Sequence, residues 1–327
     1  METLEGAELC FPQLLNSSCR KNTHPRSRVL LLYILMSSIS VLTVTLNLLV
    51  IISISHYRQL HTPTNLFLLS LAVSDFLVGL LLMPVQSVFI DNCWILGDLM
   101  CAMYCLLGFI VTTASIGNMV LISIDRYVAI CDPLCYPTKI TLRRVKVGVC
   151  LCWICSVLCS SLIQKDSLIQ PGRYNSCHGD CALVLNYIAG AVDLVLTFIG
   201  PITVIIVLYM RVFVVAVSQA RAMRSHIVSV TLQPSGTGTA KKSELKAART
   251  LGIVIVMFVI CVCPYYYPTL SGQETSSHLK ILLWMFYCNS SLNPLIYAFF
   301  YPWFRKSVKL IVTLQILQPG SCGTNIL

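Results

Sequence analysis

The chain has 327 residues, of which 56% are hydrophobic and only 11% charged, with a formal net charge of +10. A soluble globular domain carries about 25% charged residues, so a water-soluble enzyme or a pair of soluble domains is excluded in favour of a polytopic membrane protein. The basic excess belongs on a surface facing anionic lipid, and nothing in the sequence calls for nucleic acid.

A membrane-spanning helix needs about 20 mostly apolar residues. Seven segments qualify: 29–55, 65–90, 101–124, 146–164, 183–216, 250–271 and 279–300. The expected fold class is an all-α membrane protein, a seven-transmembrane helix bundle with a short amphipathic helix after span seven. Residues 1–28 read as an N-terminal tail, 29–300 as the bundle, and 301–327 as the amphipathic helix and tail.

The N-terminal stretch METLEGAELC is acidic and has no apolar core, so no cleaved signal peptide is expected and span one inserts the chain. With the N-terminus outside, 16 of the 23 lysines and arginines, among them Arg126, Arg143, Arg144, Lys241 and Lys242, fall on the inner side. Asn16-Ser17-Ser18 is then an outward glycosylation acceptor. Six of the 17 cysteines, Cys10, Cys19, Cys93, Cys101, Cys177 and Cys181, are available for bridges on that oxidising side. The longest inner connection, about 217–246, contains PSGTGTAKKSE and reads as a flexible basic loop. After span seven, PWFRKSVKLIVTLQIL spaces apolar and basic residues as an amphipathic helix on the inner membrane surface.

Two acids lie deep in apolar segments, Asp75 and Asp193. Asp193 is roughly 15 Å into its run at 1.5 Å per residue. A carboxylate there costs a few kcal/mol unless it faces a cavity and a partner, so intramembrane acids are functional by default. The plain alternative is a structural acid bonded to a neighbouring Ser, Tyr or His. An ammonium ligand is the sharper reading. Two unit charges at 4 Å attract by about 4 kcal/mol at an effective dielectric of 20, against about 1 in water. Aromatic rings would complete such a pocket, each ring face adding about 0.5–2 kcal/mol.

Further motifs fall on the seven spans in order. They are Asn47, Leu71-Ala72-Val73-Ser74-Asp75, Asp125-Arg126-Tyr127, Trp153, Pro201 with Tyr209, Pro264, and Asn293-Pro294-Leu295-Ile296-Tyr297. Together they resemble the rhodopsin-like G-protein-coupled receptors over about residues 29–312. A narrower resemblance, to trace-amine-associated receptors, rests on Asn289 to Phe304, Gln59 to Asn65, Lys246 to Gly252, and Cys177-His178-Gly179-Asp180-Cys181.

The resemblance implies a receptor rather than an enzyme, located in the plasma membrane and in the cilia of olfactory sensory neurons. It implies a volatile or biogenic amine as ligand and a stimulatory or olfactory heterotrimeric G protein that raises cAMP. The alternatives are a non-amine ligand or, in another class, a cation transporter. Transporters show internal repeats and paired broken helices, and neither is visible here.

One departure matters. Aminergic relatives carry an aspartate seven residues after the span-three cysteine; here that position is Gly108, and the acid stands at Asp193 on span five. This resembles a fish subset of the family in which the amine-anchoring acid has moved to span five. The implied ligand site is Asp193, Gly108, Phe109, Thr112, Thr197, Tyr265, Tyr266, Trp284 and Tyr287, with open volume at Gly108. No cofactor is required, but the family places an allosteric sodium ion among Asp75, Ser115, Asn289, Ser290 and Asn293, and oxygen ligands suit a hard cation.

The implied activation elements are Asp125, Arg126, Tyr127, Tyr209, Glu244, Phe258, Asn293, Pro294 and Tyr297. Arg126 is expected to be held by Asp125 and Glu244 in the inactive state. Relatives have a tryptophan where this chain has Val262. The family's disulfide pairs Cys101 with Cys181, and a second bridge joins an N-terminal cysteine to Cys177. Cys19, nearer span one than Cys10, is the expected partner.

Overall fold

The computed structural model describes residues 9–14, 17–19, 26–89, 92–172, 177–181, 185–229, 252–253, 256–267 and 276–326. The architecture is an all-α bundle. Its helices are α1 (Arg26–His56), α2 (Pro63–Phe89), α3 (Gly97–Cys131), α4 (Leu142–Ile163), α5 (Tyr187–Ser229), α6 (Val256–Tyr267), α7 (Ser276–Phe300) and α8 (Pro302–Val312). Five of the described helices, α1 to α5, are long and apolar enough to cross a membrane, and α6 is a shorter apolar helix.

Helix starts follow local chemistry. Thr62 caps α2, accepting from Asn65 N, with Pro63 at the first position where its missing N–H costs nothing. Thr141 caps α4 and Asn186 caps α5 in the same way. α3 runs seven residues past 124, the expected end of the apolar segment, and includes Asp125-Arg126-Tyr127.

Two helices contain a π-helical turn, Val78–Leu82 in α2 and Leu194–Ile199 in α5. Each lies just before a proline, Pro84 and Pro201. Proline has no N–H to give and its ring crowds the preceding turn, and a wider turn relieves both. In α5 the wide turn brings the Val195 carbonyl so close that a Cβ on Gly200 would sit 2.9 Å from its oxygen, so Gly200 keeps that turn possible.

Buried polar contacts cross between helices where no water can serve. Ser40 Oγ donates to the Gly79 carbonyl at 2.8 Å, and a Cβ on Gly79 would press on Thr43 at 2.9 Å. Asn47 Nδ2 donates to the carbonyls of Thr43 and Ser290. Trp153 Nε1 donates to Ser70 Oγ at 3.0 Å.

The two ends differ from the expected simple tails. At one end Cys19 pairs with Cys177 and Cys101 with Cys181, the two pairings expected. A third bridge, Cys10–Cys93, was not foreseen. Cys10 and Cys93 were both counted as available, but spacing carries no information on pairing. Backbone hydrogen bonds stitch the same region: His178 N to Ser17 O, Cys19 N to His178 O, and Trp94 N to Gly179 O.

At the other end the chain after α8 turns through 315–317 and 321–323 and folds back on the α1–α2 connection. Ile326 is buried there, its N–H bonded to Gln59 Oε1, and His56 Nε2 meets Ser321 Oγ. The expected amphipathic helix is α8, which buries Trp303 and Phe304.

Candidate functional site

Asp193 ends the first two turns of α5, just before the π turn, and is 8% exposed. Thr197 is one turn on, and its hydroxyl lies 2.6 Å from the Asp193 carbonyl and 3.0 Å from Asp193 Oδ1. The Tyr266 hydroxyl from α6 meets Thr197 Oγ1 at 2.8 Å. A chain Tyr266–Thr197–Asp193 thus fixes one carboxylate oxygen. The ion pairs among the described residues are Arg126–Asp125 and Lys139–Asp132, so neither involves Asp193.

Aromatic rings extend from this acid across three helices. Phe198 stacks on Tyr266 at 4.5 Å, Tyr266 meets Tyr265 edge-on at 5.2 Å, and Tyr265 meets Phe286 at 5.4 Å. Phe286 then meets Tyr287 at 6.2 Å. Phe198 and Phe286 are members the sequence reading missed. Phe198 lies within the π turn, where a 3.6-residue count assigns faces wrongly. Phe286 was passed over because Trp284 and Tyr287 are the pair one turn apart.

Trp284 instead packs with Met36, Val78, Leu82, Met83, Val111 and Tyr287, toward α1, α2 and α3, and its buried Nε1 has no partner among the described residues.

The volume expected at Gly108 is partly taken. A Cβ there would lie 3.7 Å from the Tyr287 hydroxyl and 3.9 Å from Leu82. Tyr287 shares a hydrogen bond with Tyr104, whose hydroxyl lies 3.2 Å from both Gln86 Oε1 and the Leu82 carbonyl. The α3 side of the site is therefore lined by neutral hydroxyls. Thr112 Oγ1 donates to the Gly108 carbonyl of its own helix at 2.7 Å, and Phe109 is half-buried beside it.

Deeper in the bundle Asp75 is fully buried. Ser115 Oγ donates to its Oδ1 at 3.2 Å and Asn293 Nδ2 to its Oδ2 at 2.7 Å, and Ser290 also hydrogen-bonds to it. The structure thus brings Asp75, Ser115, Ser290 and Asn293 together. Asn289 borders the same region, and its buried Oδ1 has no partner among the described residues. A small cavity between Ser115, Ser290, Asn289, Phe258 and Val262 adjoins the cluster, with room for about one water. Val262 forms part of its wall.

At the far end of α3, Asp125 Oδ2 accepts from Arg126 Nε at 3.0 Å and from Thr64 Oγ1 at 2.9 Å, and its Oδ1 accepts from Tyr136 at 2.9 Å. Arg126 Nη2 bonds to both Asp125 and Thr64. Thr64 and Tyr136 were not foreseen, because only the fold brings them to the acid. Tyr127 packs against Ile130 and Val212. A Cβ on Gly252 would sit 3.1 Å from the Tyr209 ring. Phe258 and Tyr297 are buried, and Pro294 lies inside α7. Glu244 and Asn16 lie outside the described residues.

Residues 46–297 match the model of the 7 transmembrane receptor (rhodopsin family). The chain is 37% identical over 338 residues to trace amine-associated receptor 13c of Danio rerio, covering 98% of this chain and 97% of that protein. It is 38% identical over 337 residues to trace amine-associated receptor 6 of Pan troglodytes, covering 99% and 96%. Trace amine-associated receptor 1 of Macaca mulatta is 35% identical over 322 residues, covering 94% and 95%. The chain belongs to the trace amine-associated receptors of the rhodopsin family. This receptor is accordingly a multi-pass plasma-membrane protein that couples to G proteins, and not an enzyme or a transporter.

Proposed function

We propose that this receptor detects small cationic amines through Asp193 and signals through a stimulatory or olfactory G protein to raise cAMP, in the cilia of olfactory neurons. The observation that carries the reading is the state of that carboxylate. It is buried, one of its oxygens is held by Thr197, and rings from α5, α6 and α7 extend from it. An ammonium placed against such a group gains both charge attraction and ring-face contact. The relatives' name, trace amine-associated receptor, favours the same ligand class. The acid's position on α5, with Gly108 on α3, is the fish-subset arrangement, and it tilts the ligand relative to an α3-anchored amine. Phe109, Thr112, Tyr265, Trp284 and Tyr287 complete the proposed ligand site.

The N-terminus is outside, Asn16 carries glycan, and lipid contacts the basic inner face. Asp75, Ser115, Asn289, Ser290 and Asn293 hold an allosteric sodium ion. The oxygen-rich donor set and the unpartnered Asn289 oxygen fit a hard cation, although Asn293 turns its amide nitrogen to Asp75. Arg126 is held by Asp125 and, in the inactive state, by Glu244. Activation frees it along with the Tyr209, Phe258, Pro294 and Tyr297 elements.

The decisive experiment is a cAMP reporter screen of volatile monoamines and diamines on wild type and Asp193→Ala at matched surface expression. Amines should activate the wild type and lose potency on the variant. Amine responses that survive unchanged would reject the anchoring role. Responses confined to neutral odorants would favour a non-amine ligand.

A further inference from the structure

At the disulfide end, the Cys101–Cys181 bridge has a third sulfur beside it. Cys105 is a free cysteine on α3, and the Sγ atoms of Cys101, Cys105 and Cys181 all lie within 4.8 Å of one another. The reason is helical geometry. Residues four apart on a helix share a face, so Cys101 and Cys105 both present sulfur to the loop segment that carries Cys181. That segment is held in place independently, because Cys177 is bridged to Cys19 and Trp94 N bonds the Gly179 carbonyl.

We propose that these three sulfurs form a thiol–disulfide exchange site, in which Cys181 has two alternative partners on α3. The Cys105 thiolate attacks Cys181 Sγ, the Cys105–Cys181 bond forms, and the Cys101–Cys181 bond breaks. Cys101 leaves as a thiolate and takes up the proton that Cys105 gave to solvent. One disulfide and one thiol are present before and after, so no oxidant or reductant is consumed. Attack requires the thiolate, and the sulfurs must close to about 2.05 Å by side-chain rotation and a small backbone shift.

The exchanged form anchors Cys181 on α3 at residue 105 instead of 101, starting from sulfurs that already lie within 4.8 Å of one another. Asp193 lies twelve residues after Cys181 in the sequence, so the exchange changes the anchor of the segment that leads to α5. The site is independent of the ligand's identity.

The test is disulfide mapping on the full-length receptor in membranes, by blocking free thiols, non-reducing digestion and mass spectrometry. In Cys101→Ser, the Cys105–Cys181 peptide pair should be the main species, and surface expression should exceed that of Cys101→Ser/Cys105→Ser. Recovery of Cys105 and Cys181 both blocked as free thiols would overturn the proposal. Because Cys101→Ser could fail to fold, the wild type is also held at pH 8.5 without added reductant and sampled over hours. A growing Cys105–Cys181 fraction with a matching loss of Cys101–Cys181 supports the exchange. A wild type that shows Cys101–Cys181 alone at every time point rejects it.

Discussion

The two deep acids of this receptor are held in opposite ways. Asp75 is surrounded. Each of its oxygens accepts a hydrogen bond from a side chain on another helix, and it is fully inaccessible. Asp193 rests on Thr197, from its own helix, with Tyr266 behind that threonine. A buried polar group must be satisfied, so the first acid is met by the fold itself, whereas among the described residues the second is met on one oxygen only. On the proposed reading of Asp193, what distinguishes the two acids is not depth but how much of each one's hydrogen-bonding capacity the protein uses.

The contrast is sharpest in neutral, isosteric replacements. Asp193→Asn removes the charge while keeping the shape. Losing one partner of a buried charge pair costs about 2–5 kcal/mol, so amine potency should fall about thirtyfold or more with surface expression retained. Asp75→Asn should do the reverse. It disturbs three partners from other helices, costing about 1–3 kcal/mol of stability, and it should reduce maximal signalling while amine affinity moves only a few-fold. Replacing sodium by a bulky organic cation should shift amine affinity in the wild type and leave Asp75→Asn unmoved. Equal losses of amine affinity in the two variants would erase the distinction.

A smaller effect tests the relay behind Asp193. Tyr266→Phe keeps the ring and its stacking on Phe198 but removes the hydroxyl that meets Thr197. A neutral hydrogen bond is worth about 0.5–1.5 kcal/mol, so dose–response curves should shift tenfold or less. A full loss would mean that Tyr266 touches ligand directly.

The smallest effect belongs to an exposed acid far from both. The Lys139 ammonium, and then Cys135, hydrogen-bond Asp132 and hold its carboxyl below the usual 3.8. That contribution is present above pH 3.8 and lost as pH falls through the lowered value. At neutral pH Asp132→Asn should leave thermal unfolding of the purified receptor indistinguishable from wild type, as expected for a solvent-screened pair.

Much of this was legible in the sequence, for identifiable reasons. The spans follow from long apolar runs, and Asp193 stood out because a charge in such a run is rare. The Cys19–Cys177 and Cys101–Cys181 pairings matched expectation. Cys10–Cys93 did not declare itself, because the pairing depends on how the N-terminal segment folds over the loops. Thr64 and Tyr136 were invisible as partners of Asp125, since ordinary residues become significant there only through tertiary approach. Phe198 was missed because the π turn breaks the period on which face counting depends. Phe286 was missed because the one-turn rule selected the neighbouring pair.

The docked C-terminal segment has a consequence for how the protein is made. Ile326 and Ser321 contact Gln59 and His56, more than 260 residues earlier in the chain. Domains form from the N-terminus as synthesis proceeds, so the turn between α1 and α2 waits for these contacts until residues 321–326 have been made.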